Sequence, residues 1–456
     1  MMKFLILDVY PSDNWRLVKD TAGGYGTGNN FGNNFLSKVM NFFVSKSIAM
    51  PPMSALYVHS VLKKKNCYIK YTKKILPENE LKKFDYIILP SSIIAHETEI
   101  RVLNYLNKLG MKIFVIGIFA NVKNDVYTIE NSYVVNGEPE NFFLHNELNK
   151  INLDKFFSKT IPNLLKNQRN FIENLDDLPF PSWDDYLKEY PLRNNFLSFN
   201  NKSAIPISAT RGCPYSCFNY CTYPLQQGRK VRYRSVGNII NEIIHWQNKI
   251  KTNKFVFRDP VFSINRKFTI ELCNEIIKNK INIEFLIETH LNNLDDELIR
   301  LLKKAGLRIV YIGVESVEEK ILKDINRFSI KNDIQYNLIN KLNNEGIIVK
   351  SMYMIGNPED TTETIKNTIS YSKLLPNQLV QFSIFTPYPG TPIFKKFENI
   401  ITTKKFENFN QYNLVFEHNH LSEKQINYFK NYAYRKFYLN YKNIGIIFKT
   451  LKSFFI

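Results

Sequence analysis

Short apolar runs at residues 4–9, 68–71, 86–89 and 113–118 alternate with stretches in which apolar positions recur at helical spacing. This alternation predicts a parallel sheet flanked by helices over residues 1–143, a Rossmann-like arrangement. Small or polar residues follow the runs, as at Leu89-Pro90-Ser91-Ser92, Ile116-Gly117 and Asn136-Gly137-Glu138, which marks the edge where open α/β sheets bind ligands.

Residues 144–200 break the pattern with a polar stretch containing Leu178-Pro179-Phe180-Pro181-Ser182-Trp183-Asp184. Proline at alternate positions holds the backbone extended, so a linker is expected here, pinned by Phe180 and Trp183. A second alternation follows, with six apolar runs at residues 205–209, 255–257, 285–287, 309–314, 349–355 and 379–385. Helix-like stretches at residues 236–249, 295–304, 332–345 and 362–375 separate them. Six such units over residues 201–395 fit a partial (β/α)6 TIM-type barrel with its active face at the C-terminal strand ends. Residues 396–456 read as a helical, basic and aromatic C-terminal region. From Leu421 on they hold six Lys and one Arg against a single Glu. Such an end either packs on the barrel rim or lies on an anionic membrane.

The chain has 456 residues, 44% hydrophobic and 23% charged, enough for two or three domains. No uncharged apolar run reaches membrane-spanning length, and Asp8 interrupts the first apolar run, so neither a transmembrane helix nor a signal peptide is expected. The net charge of +19 accompanies a bias toward Lys, Asn and Ile along the whole chain, which accounts for much of it without a nucleic-acid site. Five cysteines are too few for a disulfide framework, which favours a reducing, cytoplasmic location. Cys67 and Cys273 lie in apolar surroundings and read as core. His418 and His420 read as surface residues. The run Gly23-Gly24-Tyr25-Gly26-Thr27-Gly28 misses the G-x-G-x-x-G spacing and reads as a mobile interface loop rather than a dinucleotide site.

Cys213, Cys217 and Cys221 crowd into Arg211-Gly212-Cys213-Pro214-Tyr215-Ser216-Cys217-Phe218-Asn219-Tyr220-Cys221, directly after the first strand of the second alternation. Three thiolates on one loop can hold three irons of a [4Fe-4S] cluster and leave the fourth open. A structural zinc site would want a fourth ligand nearby, and the nearest downstream histidine is His245.

With this loop the sequence resembles the radical SAM superfamily, whose cluster binds S-adenosylmethionine at the open iron. Phe255-Val256-Phe257-Arg258-Asp259-Pro260-Val261-Phe262, Glu288-Thr289-His290, Ile312-Gly313-Val314-Glu315-Ser316, the segment from Met354 to Thr361, and Phe385-Thr386-Pro387-Tyr388-Pro389-Gly390 resemble its successive strand ends. The resemblance implies that Cys213, Cys217 and Cys221 hold the cluster and are the catalytic set. It implies cofactor contacts at Tyr220, Asp259, Glu315, Ser316, Ile355 and Gly356, with Glu315 on the ribose and Tyr220 and Gly356 against the adenine. The usual spacing in the family is C-x3-C-x2-C, whereas this chain reads C-x3-C-x3-C and places Tyr220 where the third cysteine would stand.

A Rossmann-like half, a Leu-Pro-Phe-Pro linker and such a barrel together resemble the cobalamin-binding radical SAM proteins. The D-x-H-x-x-G loop of many corrinoid proteins is missing, since Asp8 precedes Val9-Tyr10-Pro11-Ser12. Either corrinoid binds without a histidine ligand, or the half keeps the fold without the cofactor. With cobalamin, the resemblance implies methyl transfer to an unactivated carbon; without it, radical dehydration or rearrangement of a sugar or polyol. Two further readings are an RNA methylthiotransferase-like enzyme, which would carry a C-terminal RNA-binding barrel, and a non-catalytic iron-sulfur sensor, which would lack the strand-mouth residues. The implied partners are a small-molecule, lipid or sugar substrate and an electron donor such as flavodoxin or ferredoxin. Peripheral contact with the inner face of a membrane would run through the C-terminal tail, and nucleic acid is not expected.

Overall fold

The computed structural model describes residues 1–11, 16–29, 51–146, 170–190 and 204–439, together with Lys38 and Phe157. The protein is a mixed α/β structure built on two parallel sheets. In the first half the strands are β1 (Lys3–Leu7), β2 (Arg16–Val18), β3 (Thr27–Asn29), β4 (Tyr68–Thr72), β5 (Tyr86–Pro90), β6 (Lys112–Ile116) and β7 (Ser132–Val134). β4-β1-β5-β6-β7 form one sheet in which every pairing is parallel. In sequence order that is 2-1-3-4-5, whose switch point lies between β1 and β5.

That switch point is filled from within the chain. β2 and β3 form an antiparallel hairpin, and Lys19 at its turn puts Nζ 3.1 Å from Asp8, 2.8 Å from Glu99 and 2.9 Å from the Pro90 carbonyl oxygen. All three side chains are buried, so the lysine is charge-paired rather than solvated. The Tyr10 and Tyr71 hydroxyls donate to Asp8 as well. Asp8 therefore ends β1 as the anchor of an internal lysine.

The second half contains β8 (Ile205–Ile207), β9 (Thr210–Arg211), β10 (Arg232–Tyr233), β11 (Lys254–Phe257), β12 (Glu284–Thr289), β13 (Leu307–Glu315), β14 (Ile348–Ile355) and β15 (Leu379–Ile384). Six of these run β15-β14-β13-β12-β11-β8 in one open, all-parallel sheet. Consecutive strands lie side by side, as successive βα units dictate. The helices between them start where local capping chemistry says they should. Ser235 caps Val236–Ile250, Asp295 caps Asp296–Ala305, and Thr361 with Thr364 forms a capping box on Thr362–Leu374. Burial alternates along β12, β13 and β15, so one face packs under helices while Glu288, Tyr311, Lys350 and Gln381 fall on the opposite, less buried face.

The Pro-rich segment does more than link. Pro181-Ser182 leads into a short helix, Trp183–Glu189, whose first turn carries Asp184 and Asp185. Trp183 is buried and its indole N–H donates to the Pro206 carbonyl on edge strand β8 at 3.2 Å, while Phe180 lies beside His245. Ser182 bonds His59 and Ser60 of the helix Met53–Lys64. The segment thus straps the first sheet to the second, and one apolar cluster runs continuously from Phe4 through Trp183 to Phe437.

The other edge is closed by the helix Glu423–Tyr438, which packs on β15. The Tyr434 and Tyr438 hydroxyls each accept from and donate to one residue of β15, Phe382 and Val380 respectively, imitating a neighbouring strand. Within the region expected to be helical, Glu423–Tyr438 is a helix, whereas residues 401–422 are mostly turns and extended backbone, with one 3-10 turn at Phe406–Asn408 and a bridge between Ile401 and Phe416. Residues 440–456, where membrane contact is expected, lie outside the described residues, as do residues 147–156, 158–169 and 191–203 of the expected linker and barrel start.

The glycine run contrasts with its expectation as a mobile loop: it is a tight turn docked between the halves. Tyr25 is fully buried, with its hydroxyl donating to the Pro389 carbonyl oxygen at 2.6 Å. A Cβ on Gly23 would stand 2.7 Å from the Thr222 backbone, one residue past the last loop cysteine. Glycine is there for close backbone approach, which composition alone does not distinguish from slack.

Candidate functional site

The cysteine loop begins where β8 ends. Asp259, at the end of β11, accepts hydrogen bonds from the Ala209 and Thr210 amides and from the Thr210 hydroxyl, which fixes the turn out of β8. Burial holds the Asp259 carboxyl up at about 6 despite those donors. Gly212 follows with φ +102°, and a Cβ there would lie 2.2 Å from the Lys230 carbonyl oxygen. β9 and β10 pair antiparallel, and the Cys213 amide donates to the Gly228 carbonyl at 3.1 Å. The root of the loop is thus held on both strands before the first thiol.

The extra residue in the C-x3-C-x3-C spacing has a structural expression. Ser216–Asn219 form a 3-10 turn, and the Cys221 amide donates to the Cys217 carbonyl at 3.0 Å. That bond, from an amide to the carbonyl four residues back, closes one α-type turn, in which residues four apart share a face, and so brings the Cys217 and Cys221 thiols near each other. Their hydrogen bond draws Cys217 down to about 7 and pushes Cys221 well above the usual thiol range, while burial raises Cys213 to about 11. Among the described residues no three His, Cys, Asp or Glu side chains already stand as a metal cage. The donor set nonetheless fits an iron-sulfur cluster, with three buried or half-buried thiols on one loop, two in contact and one near its thiolate form.

Arg327 joins this group, and no sequence signal pointed to it. Its guanidinium donates to the Gly313 carbonyl at 2.9 Å, lies 3.8 Å from Glu315 and is a positively charged neighbour of Cys217. The Ser216 hydroxyl ties the cysteine loop to the preceding carbonyl, that of Asn326, at 3.1 Å. Glu315 itself sits at φ +66° beside a register shift in β13, an uncommon backbone state for a residue with a side chain. A Cβ on Gly313 would meet Arg327 and Glu315 at 2.6 Å each, so glycine leaves room for that pair.

The structure brings Tyr220 to the same place. Its ring lies against Phe385, with centroids 6.1 Å apart, and Glu315, Arg327, Cys217 and Cys221 are its titratable neighbours. The remaining candidates occupy adjoining strand mouths, where their visible contacts are structural. Ser316 is buried against Thr368, and the Ile355 carbonyl accepts from the Phe385 amide. Gly356, at φ +69°, faces Ile426 of the C-terminal helix. His418, read as a surface residue, is half-buried and bonds the Asn357 carbonyl at 2.7 Å, whereas His420 reaches toward Glu359. Cys67 and Cys273 are buried, as core cysteines should be.

Between the halves, Ser54, Tyr57, Gly117 and Gly137 face Arg211, Tyr223 and Arg258 across a crevice enclosing about 60 Å³. Arg258 crosses it to bond Asp20. Sites for drug-sized ligands run to about 300–1,000 Å³. With Lys19 also filling the switch point, the described residues enclose no cavity of that size at this place.

Comparison with known proteins places this geometry. Residues 207–371 match the model of the Radical SAM superfamily. An uncharacterized methyltransferase of Pyrococcus horikoshii is 28% identical over 278 residues, 60% of this chain and 58% of that protein. The bacteriochlorophyllide d C-12(1)-methyltransferase of Chlorobaculum tepidum is 27% identical over 216 residues, 47% of either chain. These matches span about half the length of the curated relatives. Among solved structures, the cobalamin-dependent S-adenosylmethionine radical enzyme OxsB, with aqua-cobalamin and S-adenosylmethionine bound, shares the fold with a TM-score of 0.67 at 13% identity, over 99% of this chain and 71% of that one.

Proposed function

Residues 207–371 being a radical SAM domain, we propose that the chain is an enzyme that cleaves S-adenosylmethionine reductively and functionalises an unactivated C–H bond of a small biosynthetic substrate. The observation that carries the reading is the convergence of the three-cysteine loop with Arg327, Glu315 and Tyr220 at the mouths of β8 and β13. Cys213, Cys217 and Cys221 would hold three irons of a [4Fe-4S] cluster. Such a cluster supplies, when bound, the electron that releases a 5′-deoxyadenosyl radical from S-adenosylmethionine. The chain's own residues do the rest. Arg327 sets a fixed positive charge beside the thiolates, Glu315 offers a carboxylate to the ribose hydroxyls, and Tyr220 offers a flat apolar wall to the adenine. Ser316, Ile355 and Gly356 shape the neighbouring mouths, and Asp259 fixes the turn into the loop. The polar row of Glu288, Tyr311, Lys350 and Gln381 lines the face on which a substrate would lie.

Both curated relatives are named as methyltransferases, and the name of the second, which specifies a carbon position, supports methylation of carbon as the outcome. In this reading residues 1–143 are a cobalamin-binding-type Rossmann-like domain, 144–200 a linker, 201–395 the partial barrel and 396–456 a helical tail. The narrow crevice favours a second reading, in which the first half holds no corrinoid and the outcome is dehydration or rearrangement of a sugar or polyol. A flavodoxin or ferredoxin would supply the electron. No helix among the described residues is long and apolar enough to cross a membrane. The test is anaerobic reconstitution with iron and sulfide, with and without hydroxocobalamin. Dithionite and S-adenosylmethionine should then yield 5′-deoxyadenosine. A loaded cluster that never yields it would overturn the enzyme reading, and corrinoid retained through gel filtration would decide for methyl transfer.

A further inference from the structure

Among the described residues, a cluster of four buried charges lies where the first half meets the root of the cysteine loop. Glu138, at the start of the helix Pro139–His145 that follows β7, and Glu140 in its first turn are 4% and 1% exposed, and Arg211 and Arg232 are 7% and 6% exposed. Arg211 and Arg232 are direct partners in the β9–β10 ladder. Arg211 sits 2.6 Å from Glu140 and 3.1 Å from Glu138, with its guanidinium 5.0 Å above the Tyr57 ring. Arg232 grips both Glu138 oxygens at 2.8 Å and donates to the Ile172 and Gln227 carbonyls. Gln227 in turn accepts from the Gly212 amide at 3.1 Å, between Arg211 and Cys213.

Two arginines and two glutamates removed from water are a poor source of stability, because their desolvation offsets most of their attraction. Apolar residues of similar size would hold two domains together as well. What four charges do that apolar residues do not is fix geometry, since bidentate guanidinium–carboxylate pairs specify both distance and plane. Both arginines lie on the two strands that frame the cysteine loop. Both glutamates come from the other half of the chain, about 70 to 95 residues earlier in sequence.

We propose that Glu138 and Glu140 are positioning residues for the cysteine loop, acting through Arg211 and Arg232, so that the first half of the chain sets the geometry of the cluster site. The inference rests on the reading of Cys213, Cys217 and Cys221 as cluster ligands. Wild-type protein that assembles a cluster and yields 5′-deoxyadenosine secures that reading independently of the variants.

The test uses the full chain, reconstituted anaerobically, as Glu138→Gln, Glu140→Gln and Arg211→Ala, with Arg211→Lys as the conservative rescue and Lys278→Ala as a surface control. The readouts are iron and sulfide content, the electron paramagnetic resonance spectrum of the reduced cluster with and without S-adenosylmethionine, and 5′-deoxyadenosine yield. Glutamine keeps the shape and removes the charge, so circular dichroism should match wild type. The expected result is a bound cluster whose spectrum shifts less on adding S-adenosylmethionine, with at least a tenfold fall in 5′-deoxyadenosine. Arg211→Lys should regain part of the spectral shift that Arg211→Ala loses. If Glu138→Gln fails to accumulate as folded protein, Glu140→Gln carries the test alone, because Glu140 pairs only with Arg211 among these arginines. Wild-type spectra and wild-type yield in both glutamine variants, even with a lowered unfolding temperature, would reduce the network to a structural joint and overturn the proposal.

Discussion

Replacing Gly212 by alanine tests how tightly the cysteine loop is held. The backbone there has φ +102°, and the new Cβ would stand 2.2 Å from the Lys230 carbonyl oxygen, 2.9 Å from its carbon and 3.3 Å from the Val231 Cα. Ordinary contact begins near 3.4 Å, so more than an ångström must be found against backbone rather than against a side-chain tip. The left-handed backbone costs about 1–2 kcal/mol for a residue with a Cβ, and overpacking adds about 1–3 kcal/mol. The sum of about 2–5 kcal/mol is a large share of the stability of a typical domain. Lys230 and Val231 cannot easily yield, because Arg232 next along is gripped by Glu138 and by two carbonyls. The loop carrying Cys213 should move instead. Gly212→Ala is therefore expected to keep its secondary structure by circular dichroism, to unfold several degrees lower, and to take up less than half the wild-type iron. Gly237 has no neighbour within 4 Å and lies in the helix Val236–Ile250, so Gly237→Ala should leave both readouts at wild type or slightly above. Wild-type iron content and wild-type unfolding temperature in Gly212→Ala would refute the description of the loop root.

Trp183→Ala should cost about 3–5 kcal/mol by emptying a fully buried site, and Trp183→Phe about 1 kcal/mol through the lost bond to Pro206, both read by thermal unfolding. Tyr434→Phe and Tyr438→Phe each remove a hydroxyl that covers edge strand β15, so each should cost about 0.5–1.5 kcal/mol, and the double variant should aggregate faster on heating by light scattering. Burial lowers Lys430 to about 8, with its ammonium held on the Tyr412 carbonyl at 2.9 Å. Between pH 8 and about 10.4 the unfolded chain binds the extra proton at this site, so its contribution makes stability rise with pH across that window. Lys430→Met should flatten that rise relative to wild type in denaturant titrations at pH 7.5 and pH 10.

Much of the architecture was legible because hydrophobic period and capping chemistry agree. All six expected apolar runs of the second half are strands, within two residues at each boundary, and Asp295 and Thr361 start helices as their side chains dictate. The first half was legible only in part. β2, β3 and β7 are three residues each, too short for a period to register, and the glycine run that shapes the hairpin reads like slack. Lys19 in a row of polar residues looks solvated, and only the structure shows it paired with Asp8 and Glu99.

The site divided in the same way. Spacing singled out the cysteines and Tyr220 beside the last of them, and a strand-mouth motif singled out Glu315, because each motif is local in sequence. Arg327 escaped notice because its partners Gly313, Glu315 and Cys217 come from three places in the chain and it belongs to no repeat or motif. Asp259 shows the converse. A carboxylate at a strand mouth reads as a ligand contact, yet the structure gives its oxygens to the turn that launches the cysteine loop.

The most direct measurement is electron–nuclear double resonance on the reduced, reconstituted protein with S-adenosylmethionine carrying oxygen-17 in its carboxylate. Three protein thiolates leave one iron of a four-iron cluster open to that carboxylate. The account predicts an oxygen-17 coupling to the cluster in wild type and its absence in Cys217→Ala. A fully assembled cluster with no such coupling in wild type would contradict it, and the cysteine loop would then hold iron for some purpose other than radical chemistry.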